Sequence, residues 1–359
     1  MEASTLSGRD RLAGSLARFL CGLPEPIERV LAGRAVDIDG QTLEPEMQLL
    51  LRLVALQPER DLWTTTVPDA RAALVQQALM LEGPKVRVAR VEQLELPGPA
   101  GPLGARLYVP EQEQGPIPLL VFLHGGGWVR GNLDSHDNVC RFLAREAGVL
   151  VLSVDYRLAP EHPFPAAVED SYAAFLFAFS NAEELGADPS AIAVGGDSAG
   201  GNMTLVTAQL AVADGGPVPA FLLAFYPATD FSIKRRSYEL FREGFLLTES
   251  ATDWYRTRYL PDESMALDPR ASPLLADDLS GMPPAYIATA GFDVLRDEGE
   301  AYAERLRDAG VPVALRRHRG LIHAFANMTA VGRSSRAAMM EAAGALRVGV
   351  SGAATLARR

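Results

Sequence analysis

Two uninterrupted apolar runs, over 118–123 and 149–154, have the length and composition of strands covered on both faces. Between them Val139, Phe142, Leu143 and Ala147 recur at helical spacing, so the three segments predict a βαβ crossover. Further strands are expected over 86–96, 105–109, 191–194, 220–225, 285–289 and 311–315. Helical periodicity fills the intervals. Val168, Tyr172, Phe175, Leu176 and Phe179 follow Pro165 and precede Gly186; Met203, Leu205, Val206, Leu210 and Val212 form a second face; Leu306 and later Met339, Met340 and Leu346 mark two more. The alternation is that of an α/β chain.

Two stretches break it. Residues 1–85 carry only helical patterns, among them Leu16, Phe19 and Leu20, then Met47, Leu50, Leu51 and Val54, then Leu74, Val75, Ala78 and Leu79. Pro24, Pro26, Pro45, Pro58 and Pro68 cut these into short helices with little core of their own, so they must pack on the rest of the chain, either as a simple extension or as a lid. The second stretch fills the roughly 60 residues between the strands ending at 225 and beginning at 285, too long an interval for a loop. It carries Tyr238, Phe241, Trp254, Tyr255 and Tyr259, with Thr248 as an expected N-cap. The expected division is a helical region over 1–85 and an α/β domain over 86–359, with 231–272 inserted above the sheet.

A chain of 359 residues with 48% hydrophobic side chains can bury a large core. Its net charge of -11 argues against a phosphate-binding surface, so nucleic acid is not an expected partner. The two cysteines, Cys21 and Cys140, lie far apart outside any C-x-x-C pair, which predicts neither a disulfide framework nor a thiolate metal site and fits a reducing compartment. The first residues lack a basic leader, and the apolar runs fall far short of a membrane span. A cytoplasmic protein without stable membrane association is expected.

The candidate chemistry centres on Gly196-Asp197-Ser198-Ala199-Gly200, a G-x-S-x-G between an expected strand and an expected helix. A serine at the tip of so sharp a turn needs small neighbours, and the helix N-terminus aims free N–H groups at whatever it attacks. Ser198 is therefore the candidate nucleophile. Its hydroxyl needs a base and an orienting carboxylate, which on such a turn follow in the order Ser, Asp or Glu, His. Among five histidines, His318 and His323 come late enough. His323 is favoured, because it follows Gly320 beyond a strand end, whereas His318 sits among arginines. Asp293, just past the strand over 285–289, is the favoured orienter over Asp297. The glycine run Gly125-Gly126-Gly127 after His124 predicts main-chain donors for an oxyanion, with Gly125, Gly126 and Ala199 as the expected set. No metal or organic cofactor is required.

Together, His124-Gly125-Gly126-Gly127-Trp128, the block from Asp155 through Tyr156-Arg157-Leu158-Ala159-Pro160 to Ala166, the serine turn, Asp293-x-Leu295-x-Asp297-Glu298 and Ile322-His323-Ala324-Phe325 resemble the bacterial hormone-sensitive-lipase-like esterases, a branch of the α/β-hydrolases. The resemblance spans about 86–330; Asp197 beside the serine matches the Gly-Asp-Ser-Ala-Gly subgroup, while Ala324 stands where glycine is common. It implies an eight-stranded, mostly parallel sheet with helices on both faces, a cap from the N-terminal helices and the insertion, and a carboxylesterase acting on short- to medium-chain acyl esters. It implies the same roles for Ser198, Asp293, His323, Gly125, Gly126 and Ala199, and self-association as a homodimer through the last edge strand.

Asp197, Trp63, Tyr226, Phe245 and Trp254 are the expected substrate-contacting residues. Arg157, Glu161 and His162 are expected to brace the glycine loop from behind, and His136 to lie on the surface or at a helix start. An amidase, carbamate hydrolase or acyltransferase would use the same triad. A non-catalytic receptor on this scaffold is the alternative of another class, but the plant gibberellin receptors lack the histidine.

Overall fold

Leu119, Leu120, Val121, Phe122 and Leu123 are fully shielded from solvent, which is why an uninterrupted apolar run makes a strand here: it lies in the middle of a sheet covered on both sides. The structure, a computed structural model, describes residues 6–56, 61–111 and 115–357, with side chains as far as Ser351. A small hairpin, β1 (Asp37–Ile38) and β2 (Gln41–Thr42), precedes the strands of the main sheet. Those are β3 (Arg90–Gly98), β4 (Gly101–Val109), β5 (Ile117–Leu123), β6 (Leu150–Asp155), β7 (Ala187–Asp197), β8 (Leu222–Phe225), β9 (Ala285–Phe292) and β10 (Val313–Ile322). They form one eight-stranded sheet in the order β10-β9-β8-β7-β5-β6-β4-β3. Only the pairings of β4, with β3 and β6, are antiparallel. Helices Asp137–Ala147 and Ser334–Ala357 pack on one face; Ala166–Ser180, Ala199–Ala213 and Arg296–Asp308 cover the other.

The parallel strands β5, β7, β9 and β10 end at the same edge of the sheet, which brings the glycine run, Ser198, Asp293 and His323 together there. Several boundaries differ from expectation. β3 runs through Pro97, because as an outermost strand it can lack one ladder donor. β10 continues to Ile322, so His318 lies inside the strand; the arginines around it sit on an edge strand whose outer positions meet solvent, and their charge hid the strand from the apolar pattern.

No strand is expected before residue 85, yet β1 and β2 form around Asp39-Gly40, which take φ of 57° and 70°. Two successive positive φ values make the tight turn that suits twisted hairpins. Past this hairpin, the Glu44 N–H donates to Gly320 O at 3.0 Å, seating it on β10. Helices Gly8–Leu20, Glu25–Ala32, Pro45–Ala55 and Val67–Leu81 complete the region, with Ser7 and Thr66 capping the first and last through Asp10 N and Asp69 N. Two buried acids fasten it to the C-terminal part. Arg333 Nη2 lies 2.6 Å from Glu28 Oε2 and 3.3 Å from Glu46 Oε2, while Glu46 Oε1 accepts the N–H groups of Arg333 and Ser334.

Burial pushes the Glu28 carboxyl above its ordinary value, against the pull of Arg333. A carboxyl whose value is raised on folding favours the folded state at low pH and costs stability as pH climbs above the unfolded value. Removing the cation in Arg333→Met raises that value further. The variant should lose about 1–3 kcal/mol at pH 7.5, a figure discounted because the guanidinium is half exposed. The loss should shrink towards pH 4.5; urea unfolding at the two pH values, giving equal losses, would overturn this account of the fastening.

Candidate active site

Ser198 follows β7 directly and starts helix Ala199–Ala213 at φ 56° and ψ -114°, a left-handed conformation that costs energy for a side chain bearing a Cβ. The turn is tight because it presses on the end of β5. A Cβ at Gly196 would stand 2.3 Å from Leu123 O, and one at Gly200 would stand 1.8 Å from the same oxygen. Glycine at both places is therefore a steric requirement.

His323 comes immediately after β10 and Asp293 immediately after β9. His323 Nε2 lies 3.0 Å from Ser198 Oγ, and Nδ1 lies 2.7 Å from Asp293 Oδ2. Asp293 is fully buried, and its other oxygen accepts the Leu295 N–H at 3.0 Å, so the carboxylate is held from both sides. Ala324 takes φ 64°, the conformation for which glycine is the usual residue. His318 is engaged elsewhere: its ring packs edge-on against Phe325 at 5.1 Å, and burial, with Arg316 adding to it, brings its basicity down to about 4.

The glycine run divides its work differently from expectation. The Gly125 N–H donates to Asp197 Oδ1 at 2.8 Å, so it does not face a substrate. A Cβ on Gly125 would meet Asp197 Oδ2 at 2.4 Å. Among the described residues, by contrast, the N–H groups of Gly126, Gly127 and Ala199 have no acceptor within the protein. Gly126 and Gly127 take φ of 128° and 64°, and Gly127 lines the same cavity as Ser198. Gly127 was not among the expected donors because the three glycines are alike in sequence; only the partner of the first tells them apart.

That partner, Asp197, was expected to touch substrate and instead is buried behind the turn. His136 Nε2 lies 3.1 Å from Asp197 Oδ1, and the Tyr226 hydroxyl lies 3.5 Å from Oδ2. Burial alone would raise the Asp197 carboxyl, but His136 and the Gly125 N–H hold it below the ordinary value. His136 is buried rather than on the surface, at the start of helix Asp137–Ala147, and its Nδ1 meets Ser135 Oγ at 2.9 Å. His124 stacks on Tyr156 at 4.2 Å, and the Tyr156 hydroxyl donates to His124 O at 2.7 Å. Burial lowers the His124 imidazole to about 3, so it is neutral. The brace behind the loop is thus Tyr156, with the Ala159 N–H on Trp128 O at 2.9 Å; Arg157 instead grips Asp170, and Glu161 pairs with Arg71.

Ser198 opens into a cleft that is continuous with solvent. Trp128, Phe231, Tyr238, Leu247, Tyr255 and Leu295 give it apolar walls, and Lys234, Asp253 and Arg256 give it charge. Most of these come from the stretch after β8. The expected aromatic walls lie elsewhere. Trp254 is fully buried, Phe245 packs on Phe241 and Phe292, and Tyr226 lies against the His323 ring at 4.6 Å. Trp63 is half exposed, donating from its indole to Ser250 Oγ at 2.9 Å. Helical burial, invisible in one sequence, decided which aromatics face inward. Asp297, the alternative orienter, accepts from Ser237 N at 2.8 Å. Among the described residues no group of three or more His, Cys, Asp or Glu side chains is placed to hold a metal ion, and no helix is long and apolar enough to cross a membrane.

A family profile described as alpha/beta hydrolase fold matches residues 120–327, more than half of the chain. Carboxylic ester hydrolase LipN of Mycobacterium tuberculosis is 49% identical over 342 residues, covering 93% of this chain and 90% of that protein. Carboxylesterase NlhH of the same species is 41% identical over 269 residues, covering 70% and 84%. An ester-hydrolase from the metagenome of Lake Arreo superposes with a TM-score of 0.81 at 41% identity, covering 85% of this chain and 98% of that one. The hyperthermophilic esterase of Pyrobaculum calidifontis gives 0.80 at 39% identity, covering 84% and 96%. The eight-stranded α/β architecture and the ester hydrolases among its relatives agree: the chain is an enzyme, a carboxylic ester hydrolase, and belongs to the hormone-sensitive-lipase-like family of the α/β-hydrolases.

Proposed function

We propose that this carboxylesterase cleaves short- to medium-chain acyl esters through an acyl-enzyme on Ser198, with His323 as base and acid and Asp293 as its orienter. The observation that carries this is the unbroken contact chain from Ser198 Oγ through His323 to the buried Asp293 carboxylate. His323 Nε2 takes the hydroxyl proton as Ser198 Oγ attacks the ester carbonyl carbon. The carbonyl oxygen gains charge and is met by the N–H groups of Gly126, Gly127 and Ala199. His323 returns the proton to the departing alcohol. Water then attacks the acyl carbon, giving its proton to His323, and the acid leaves as Ser198 Oγ regains that proton.

Asp197 acts one step back, as a positioning residue: by holding the Gly125 N–H it sets where the next two N–H groups point. The stretch 231–272 serves as the cover, supported by its share of the cavity lining. Residues 1–85 brace that cover and the glycine loop, through Trp63 on Ser250 and through Arg71, whose Nε donates to Val129 O at 2.8 Å. Residence in a reducing compartment is supported by Cys21 and Cys140, which are separate, buried free thiols.

Ser198→Ala should abolish labelling by a fluorophosphonate probe and lower kcat roughly 10⁴-fold or more. His323→Ala should do the same to kcat while His318→Ala stays active; the reverse pattern would overturn the assignment of the base. Asp197→Asn, which keeps shape but removes the charge facing His136, should lower kcat at least about tenfold with KM within roughly threefold. A rise in KM at unchanged kcat would instead make Asp197 a ground-state binding residue. Across p-nitrophenyl esters of increasing acyl length, kcat/KM should be highest for short and medium chains, and a maximum at long chains would refute the proposed substrate range.

A further inference from the structure

Glu298 is a carboxyl group in the wall of the reaction cavity that none of the steps above uses. It lies in the first turn of helix Arg296–Asp308, is 1% exposed, and shares the cavity with Ser198. Its Oε1 accepts the backbone N–H of Thr229 at 2.8 Å and that of Asp230 at 3.4 Å. Its Oε2 is shielded from solvent and has no hydrogen-bond partner in the protein. Burial, with the like charges of Asp230 and Asp293 adding to it and against the pull of the Thr229 and Asp230 amides, holds the acid well above its ordinary value.

A buried acid in that setting keeps its proton. Because Oε1 already takes two N–H groups, the proton belongs on Oε2, where it forms a donor with nothing in the protein to receive it. An unmet donor in a low-dielectric wall is costly, and the cost is recovered when a bound molecule offers an acceptor. Carboxylic acids kept neutral by their surroundings are known to serve as donors in this way. The same wall combines Phe231 and Leu247 with Lys234, Asp253 and Arg256, so it is not built for a purely hydrocarbon occupant.

We propose that Glu298 is a specificity-determining residue: its Oε2 hydroxyl donates a hydrogen bond to a second oxygen on the substrate, an ether, ketone or further ester oxygen, so that oxygen-bearing esters are preferred over their hydrocarbon isosteres. This rests on the serine chemistry proposed for the same cavity.

Two isosteric pairs test it, one on each side of the scissile ester: p-nitrophenyl 3-methoxypropanoate against p-nitrophenyl pentanoate, and 2-methoxyethyl acetate against butyl acetate. Each ratio of kcat/KM, ether over hydrocarbon, is divided by the ratio for hydroxide, which removes the ether's electronic effect. In the wild type at least one pair should then exceed unity by roughly 5- to 10-fold, the range of one neutral hydrogen bond. Glu298→Gln retains a donor at the Oε2 position and should keep that preference within about twofold, whereas Glu298→Leu should lose it. Normalised wild-type ratios at or below unity in both pairs would overturn the proposal, as would a full preference in Glu298→Leu. If the leucine variant does not fold, wild-type ratios at or below unity still overturn the proposal, and Lys234→Met and Arg256→Met, which remove the other charged donors of that wall, must keep the preference. Hydrolysis of the hydrocarbon esters that persists in Ser198→Ala would refute the serine chemistry instead, and its loss upholds that chemistry whatever the ratios.

Discussion

The end of β5 and the turn at Ser198 occupy nearly the same space, and the site follows from that crowding. The Leu123 carbonyl stands so close to Gly196 and Gly200 that no side chain fits at either position. Such compression forces Ser198 into a left-handed conformation and lifts its hydroxyl clear of the sheet, while the helix behind it presents unpaired N–H groups. The strain is sustained because β5 and β7 are parallel neighbours in register through Leu123 and Gly196, deep in a sheet buried on both faces. A turn on a less constrained edge would relax.

The same closeness makes Asp197 a joint between two loops. One residue before the serine, it receives the first N–H of the glycine run that leaves β5, and it meets His136 from the helix that this run leads into. Ser198 and the glycine run are thus tied through one buried carboxylate, not through separate supports. Tyr226 closes the arrangement, with its ring on His323 and its hydroxyl toward Asp197. In the proposed mechanism a displacement at any of these groups reaches both the base and the donors, which is the physical reason to expect losses in kcat rather than in KM.

Much of this was legible in the chain. Ser198, Asp293 and His323 could be found because each sits where an apolar strand gives way to a loop, and loops at the carboxyl ends of parallel strands share one edge. What escaped notice depends on contacts between segments remote in sequence. Gly125 and Gly127 cannot be told apart without knowing that Asp197 lies beneath the first. The continuation of β10 through its arginines, and the Asp39-Gly40 hairpin that caps its far end, were masked because edge strands need no apolar alternation. Trp63, Tyr226, Phe245 and Trp254 have the composition of a pocket wall, but tertiary packing turns them into braces.

Other aromatic contacts explain how the stretch after β8 can be rigid at its root and still mixed in chemistry at its inner surface. Trp128, at the end of the glycine run, stacks on Tyr259 at 4.4 Å with rings nearly parallel, and Tyr255, one turn earlier on the same helix, lies over Gly127 where a Cβ would collide with its ring. Helix Glu249–Tyr259 is therefore seated on the glycine loop itself by two aromatic contacts. Glu298 ties the start of the same stretch to the helix after Asp293 through the Thr229 and Asp230 amides. With the stretch fastened to the glycine loop and to the helix after Asp293, its inward side chains can vary without displacing Ser198, His323 or Asp293. On the proposed chemistry, substrate preference and turnover are then separable properties, and Glu298, anchored by one oxygen and unpaired at the other, is where the two would meet.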